Sequence, residues 1–196
     1  MMTYIKPAIL LLLLLTILTG IIYPLSMTGI GLLLFPTQAR GSLVVINAKT
    51  VGSSLIGQNF TSAKYFHSRP SVAGKGYDPM AFLISGEVST SVELIPTSTQ
   101  FQATIKKMTT QLQQEFNQNG SAVPIDLVTR SGSGLDPDIT PAAAIFQIKR
   151  IAHVRNLSEA KLLALIEEYT TMRQFGILGE PRVNVLALNR GLDKLQ

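Results

Sequence analysis

The stretch PAILLLLLLTILTGIIYPLSMTGIGLLLF, Pro7 to Phe35, contains no charged side chain. About 20 apolar residues are enough for a helix to cross a ~30 Å hydrocarbon core, so this run can span a bilayer. It is longer than a span requires, which predicts tilt or a bend at Pro24. A cleaved signal peptide is the rival reading, with Lys6 as its charged start and Thr37-Gln38-Ala39 as a cleavage-like site. The apolar run continues well past a signal core of ~7–15 residues, so a retained anchor over 1–35 is expected, with the lipid bilayer as its surroundings.

Lys6 precedes the span while Arg40 and Lys49 follow it, so the positive-inside rule does not orient it. Thr16 and Gly20 lie four apart, a small-xxx-small pair that would let another helix approach closely. Small residues are also common in membrane helices without any such contact.

Beyond the span the composition is that of a soluble domain. Across all 196 residues only 15% are charged, below the usual quarter, because the deficit is concentrated in the apolar run. The net charge of +5 comes from scattered Lys and Arg rather than a dense basic stripe, which argues against nucleic acid as a partner. Cysteine is absent, which removes disulfides, thiolate nucleophiles and Cys-ligated metals.

From residue 36 to 196 the pattern predicts one mixed helix–sheet domain of the α/β class, with α+β as its variant. Ser42–Ile46 reads as a strand and Leu55-Ile56 as a short second one. Residues 75–96 read as loop. Phe101, Ile105, Met108, Leu112 and Phe116 recur at helical spacing and predict a helix from about Thr97 to Asn117, ended by Asn119-Gly120. Ile125–Thr129 reads as a strand. Thr140-Pro141 opens a helix with a hydroxyl cap and a first-turn proline, its buried stripe being Ile145, Ile148, Ile151 and Ala152. Ser158 caps another helix reaching about Met172, and a strand at Val183–Val185 and a helix to Leu195 close the domain.

Motifs for chemistry fail on residues the chemistry requires. Ala73-Gly74-Lys75 resembles part of a phosphate loop, but Arg69 stands at the first glycine and Gly76 at the magnesium-binding hydroxyl. Gly132-Ser133-Gly134 lacks nucleophile-elbow spacing. Asp136 and Asp138 open like a calcium loop, yet Pro141 occupies the turn glycine and no bidentate Glu follows. His67 and His153 have no second ligand at metal spacing. A Ser68–His67–Asp136 triad can be drawn, as can many others, so none is singled out. Asn59, Asn119 and Asn156 open sequons that an Asn/Ser/Thr-rich chain supplies by chance. In Asp136-Pro137-Asp138, the proline and acidic side chains build a turn, and Asp138 is placed to complement a helix N-terminus.

The run GQNFTSAKYFHSRPSVAG, Gly57 to Gly74, has no helix or strand period and crowds aromatics, His and Arg together. A catalytic loop, a solute pocket and a protein-binding surface all fit that composition. Together with YP at the far side of the span, SGLDPDITP and EPRVNVLALNRGLDKL, it resembles the KdpC family over nearly the whole chain, in order. That family is the small subunit of bacterial Kdp potassium-transporting P-type ATPases. The resemblance implies a subunit without chemistry of its own, partnered by a potassium-conducting subunit and an ATP-hydrolysing one. It binds no cofactor directly, while the complex uses ATP, Mg2+ and K+. This agrees with the absence of a DKTGT phosphorylation motif and of a TVGYG-like filter.

The resemblance further implies a single-pass protein of the bacterial inner membrane with its domain on the non-cytoplasmic side. An ATP-binding role credited to the family finds no nucleotide motif here, and a domain on that side could not reach cytoplasmic ATP. Phe60, Tyr65, Phe66 and Arg69 are expected to anchor the partner, aided by Gln58, Asn59, Ser68, Pro70, Asp136 and Asp138. Core packing is the competing role for the aromatics. A membrane-anchored hydrolase and a solute-binding module using the Gln58–Arg69 loop are the alternative functions.

Overall fold

The computed structural model describes residues 2–71, 73, 76–77, 99–116 and 120–195. They form two compact units, Met1–Ser53 and Ser54–Gln196. In the first, α1 (Met2–Ile17) continues through a wide π turn (Leu18–Ile22) into α2 (Tyr23–Leu34). The apolar stretch Tyr4–Leu34 is 31 residues long, about 46 Å at 1.5 Å per residue, so it exceeds a bilayer core. Its large apolar side chains are exposed, which fits a candidate membrane span.

The wide turn lies one turn ahead of the expected bend site, and Pro24 explains it. Proline has no N–H for the Gly20 carbonyl and its ring crowds that oxygen. The backbone opens instead, and Tyr23 N–H reaches back to the Leu18 carbonyl. The hydroxyls of Thr19 and Thr28 donate to the carbonyls of Leu15 and Pro24, so the polar side chains are satisfied within the helix.

A short helix α3 (Pro36–Ala39) leads to a hairpin of β1 (Leu43–Ile46) and β2 (Lys49–Ser53). Asn47 and Ala48 both take left-handed φ, +49° and +60°, which a two-residue hairpin turn of matching twist requires. The short second strand expected at Leu55-Ile56 is a turn instead, with Leu55 exposed, so β1 pairs elsewhere. The real partner is polar Lys49–Ser53, selected by the turn rather than by apolar content.

The second unit begins its described helices with α4 (Thr99–Glu115) and a 3-10 turn at Ile125–Leu127. A three-stranded antiparallel sheet follows in the order β3 (Asp138–Ile139), β5 (Arg182–Asn184), β4 (Thr170–Thr171). Helices α5 (Pro141–Phe146), α6 (Ile148–Arg155), α7 (Glu159–Glu168) and α8 (Val185–Asp193) surround it, with α7 packed on the other three. This is a mixed helix–sheet domain, with antiparallel pairing in both sheets among the described residues. The core gathers Phe66, Phe116, Ile139, Ile151, Leu162, Val183 and Leu188.

The caps follow the sequence reading. Ala143 N–H donates to the Thr140 hydroxyl at 3.2 Å and Lys161 N–H to that of Ser158 at 3.4 Å. Several expectations fail for physical reasons. Ile125–Thr129 is no strand, because after Pro124 its backbone closes on itself, Leu127 N–H to Pro124 and Val128 N–H to Ile125. The helix after Pro141 breaks at Gln147, whose N–H turns tightly to Ala144, and the break rotates Ile145 into solvent while Ile148 and Ile151 stay buried. The helix expected to reach Met172 stops at Glu168, since Thr170 and Thr171 pair with Val183 and Arg182. The last strand is offset by one, because Asn184 caps α8 by accepting from Ala187 N–H. The loop expected over 75–96, apart from 76–77, and the start at Thr97 lie outside the described residues.

Gly57 shows what the packing demands of one position. Its N–H donates to the Leu135 carbonyl at 2.8 Å, and a Cβ there would stand 2.3 Å from the Tyr77 ring and 2.5 Å from the Asp136 carbonyl. Neither neighbour can yield without opening the contact. Gly57→Ala is expected to lower stability by about 2 kcal/mol, read as a lower midpoint in denaturant unfolding of the detergent-solubilised chain.

Candidate functional site

Residues 57–71 cross the domain with no neighbouring strand among the described residues, so their buried backbone needs other partners. Side-chain amides supply them. Phe66 N–H donates to Asn189 Oδ1 at 2.8 Å, and Asn189 Nδ2 donates back to the Phe66 carbonyl at 2.9 Å. One residue on, His67 N–H donates to Gln147 Oε1 at 2.7 Å, and Gln147 Nε2 returns a bond to the His67 carbonyl at 3.1 Å. Each amide thus matches both backbone groups of one residue, as a facing strand residue would. Asn189 and Gln147 are buried, so water cannot substitute for them.

Two arginines extend the clamp. Arg150 donates to the carbonyls of Ala63 and Tyr65 and to Gln147 Oε1. Its guanidinium also lies 4.6 Å from the Phe116 ring centre. Burial pulls its pKa down to about 10, which leaves it charged at neutral pH. Arg155 Nε donates to the Lys64 carbonyl at 2.8 Å, and its Nη2 pairs with Asp193 at 2.6 Å. The Tyr65 hydroxyl donates to the other Asp193 oxygen, and its ring lies 4.9 Å from the Arg155 guanidinium and 5.7 Å from Phe60.

The expected partner residues therefore divide. Phe66 has no exposed surface and belongs to the core, which corrects its expected role as an anchor. The clamp holds its backbone so that its ring points inward, filling space beside the helices. Arg69 donates to Asp136 Oδ2 at 3.1 Å and to the Arg130 carbonyl at 3.3 Å, tying the loop to the 130–138 segment. Asp136 Oδ1 accepts from Asp138 N–H at 3.0 Å, the turn expected from the sequence. Asp138 lies in β3, two residues before the Thr140 cap of α5. It pairs with Arg182 at 3.1 Å and accepts from Asn184, and burial raises its pKa despite both. The buried carboxylate at the start of α5 is Asp126, which accepts from Thr140 N–H at 2.7 Å.

Ser68 donates to the Gln58 carbonyl, so both serve the loop's shape. Asn59 is exposed, as is the rim 61–64, while Phe60, Tyr65 and Pro70 are half-buried. Between the loop and the end of α4 lies a cleft of about 670 Å³ lined in part by Asn59, Phe60, Arg69, Tyr77 and Glu115. Tyr77 donates its hydroxyl to the Arg69 carbonyl at 2.5 Å, and burial pushes its pKa up to about 12. In the apolar helix, Thr16 and Gly20 are exposed, and space is open around Gly20.

Chemically the arrangement holds a backbone still rather than activating a group. His67 Nε2 lies 3.2 Å from the Ser62 carbonyl and its ring meets Phe116 edge-on, with no carboxylate hydrogen-bonded to it among the described residues. Three or more metal-ligating side chains converge nowhere among those residues. Gln147 and Asn189 escaped the sequence reading, although a signal existed. Each is a polar residue set among apolar ones, in AAAIFQIKRIA and VNVLALNRGL.

A family profile described as K+-transporting ATPase, c chain (KdpC), matches residues 5–194. The chain belongs to the KdpC family. The Potassium-transporting ATPase KdpC subunit of Acidobacterium capsulatum is 49% identical over 194 residues, covering 99% of this chain and all of that one. The protein of the same name from Gemmatimonas aurantiaca is 48% identical, covering all of this chain and 94% of that one. That of Methylococcus capsulatus is 47% identical over the full length of both. The clamp and its loop thus sit in a chain that matches KdpC proteins end to end.

Two expectations follow from the clamp. Gln147→Ala or Asn189→Ala strands a buried N–H and carbonyl, and should each destabilise by about 3 kcal/mol in chemical denaturation. His67 has its pKa lowered from the ordinary 6.5 by burial and then by Arg150. The unfolded chain therefore binds the proton more readily, and stability falls as pH drops below about 6.5. His67→Gln should flatten this pH dependence of the unfolding midpoint between about pH 7 and pH 5.

Proposed function

We propose that this KdpC-family chain is the non-catalytic accessory subunit of an ATP-driven potassium uptake complex, and that its Gly57–Gly74 loop recognises a partner subunit. Family membership makes it a subunit of a potassium-transporting ATPase, with catalysis in another subunit. The Tyr4–Leu34 helix supports a membrane anchor. In this reading the helix lies in the bacterial inner membrane beside the ion-conducting subunit, with Thr16 and Gly20 allowing close approach. The folded domain is on the non-cytoplasmic side. ATP and Mg2+ are then used by the catalytic subunit on the opposite side, and K+ passes through the conducting one.

The observation that carries the loop's role is its pre-organisation. The domain spends its buried Gln147, Asn189, Arg150 and Arg155 on fixing the backbone of residues 63–67. A loop already held in one conformation loses little entropy on binding. Its outer rim, Asn59 and 61–64, is left exposed. Tyr65 and Phe60 brace that rim from beneath, and Arg69 fixes its far end. Phe66 acts through the core. Docking of this rim biases the partner toward the assembled, transport-competent state by contacting that state more favourably than the free one.

Asn59→Arg with Thr61→Arg alters only exposed rim positions. The pair should release the chain from its detergent-solubilised complex while leaving its unfolding midpoint unchanged. Co-purification at the wild-type level would sink this reading.

A further inference from the structure

The segment joining β4 to β5 ends in a tip that the loop reading does not use. Met172 is 66% exposed, Phe175 92%, Ile177 76% and Leu178 55%. These side chains stand on a built hairpin. Gln174 N–H donates to the Leu178 carbonyl and Leu178 N–H to that of Gln174, both at 2.9 Å. Ile177 N–H also donates to Gln174 at 3.2 Å, closing a tight turn over Phe175 and Gly176. Both central residues are left-handed, with φ of +54° and +77°.

A turn with two left-handed residues suits Gly, Asn or Asp. Gly176 meets that demand, but a bulky aromatic at the other position is sterically unfavourable. Phe175 gains no burial within the chain in return. Folding therefore gives no reason for phenylalanine at the apex, and a strained, exposed aromatic points to a use outside the chain.

We propose that this tip is a second docking element, whose apolar side chains seat in an apolar socket on the extramembrane surface of another subunit of the complex. The proposal rests on the chain's working as a subunit, but not on the Gly57–Gly74 loop. Charge favours a protein socket over a lipid surface. The tip from Gln174 to Gly179 carries no charge. At its base Arg173 is paired with Glu180 at 2.6 Å, and Arg182 with Asp138 at 3.1 Å. These two basic residues are therefore paired with carboxylates rather than free to recruit anionic headgroups. An aromatic with aliphatic neighbours on a rigid support is instead the composition of an interface hot spot. The tip also runs directly into β5 and α8, the helix that carries the Asn189 clamp.

The chain has no cysteine, so Phe175→Cys places a single thiol at the apex. The full-length variant, co-expressed with its partner subunits, would be labelled with a benzophenone maleimide and irradiated in native membranes. A photo-adduct with another subunit is expected. Adducts with lipid alone, with a second copy of this chain, or with nothing would overturn the proposal. In parallel, Phe175→Ala with Ile177→Ala should weaken retention in the complex about 30-fold, the loss typical of a hot spot. The unfolding midpoint should not move, since both side chains are exposed. Retention at the wild-type level would also overturn it. No tip adduct while Asn59→Arg with Thr61→Arg still releases the chain sinks the tip alone. A tip adduct while those rim variants stay bound sinks the loop reading alone.

Discussion

Two side-chain amides closing rings on consecutive backbone residues are the constraint on which the second unit depends. Phe66 enters the core only because its own N–H and carbonyl are matched by Asn189, since a buried peptide group without a partner would cost more than the ring gains. Gln147 does the same for His67, and it is free to do so because the helix breaks where it stands. The clamp brings α6, α8 and the loop to one place although they are far apart in sequence. Arg150 and Arg155 then take the neighbouring carbonyls, so side chains hold the run where a strand would otherwise pair with it.

This arrangement explains why the loop looked catalytic in sequence and is not built that way. Its His, Tyr and Arg are spent on geometry. Arg69 ties to Asp136, Tyr65 to Asp193, and His67 lies against Phe116. A catalytic site needs a titratable group poised against a place for substrate. Here the shifted groups owe their shifts chiefly to burial, and the loop turns its rim 61–64 to solvent beside the cleft at α4. Rigidity with an exposed edge suits recognition, in keeping with an accessory subunit whose complex performs chemistry elsewhere.

Much of the fold was legible. Helical periodicity placed α4, and the Thr140 and Ser158 caps placed the starts of α5 and α7. The apolar run with no charge marked the long exposed helix that is the candidate membrane span. The failures share a cause. Ile125–Thr129 has strand composition but pairs with no strand among the described residues, and Lys49–Ser53 lacks that composition yet has a partner. Strand identity is settled by what lies alongside, which composition does not record. For the candidate site, the motif block was visible but the roles within it were not. Phe66 and Tyr65 are adjacent aromatics, and only the backbone's direction at the clamp decides that one is core and the other half-exposed.

By itself the sequence determined the long apolar helix, the capped helices, the absence of a phosphate, metal or nucleophile motif, and the resemblance that led to the family. These are local properties, set by periodicity, side-chain type and spacing along the chain. The tertiary structure decided which residues of the Gly57–Gly74 run serve the interior and which face outward. It also revealed Gln147 and Asn189 as the residues that hold the run, and Phe175 as an exposed apex. Those properties depend on which backbone groups lack a neighbour, and only the folded chain brings the answering amides to them.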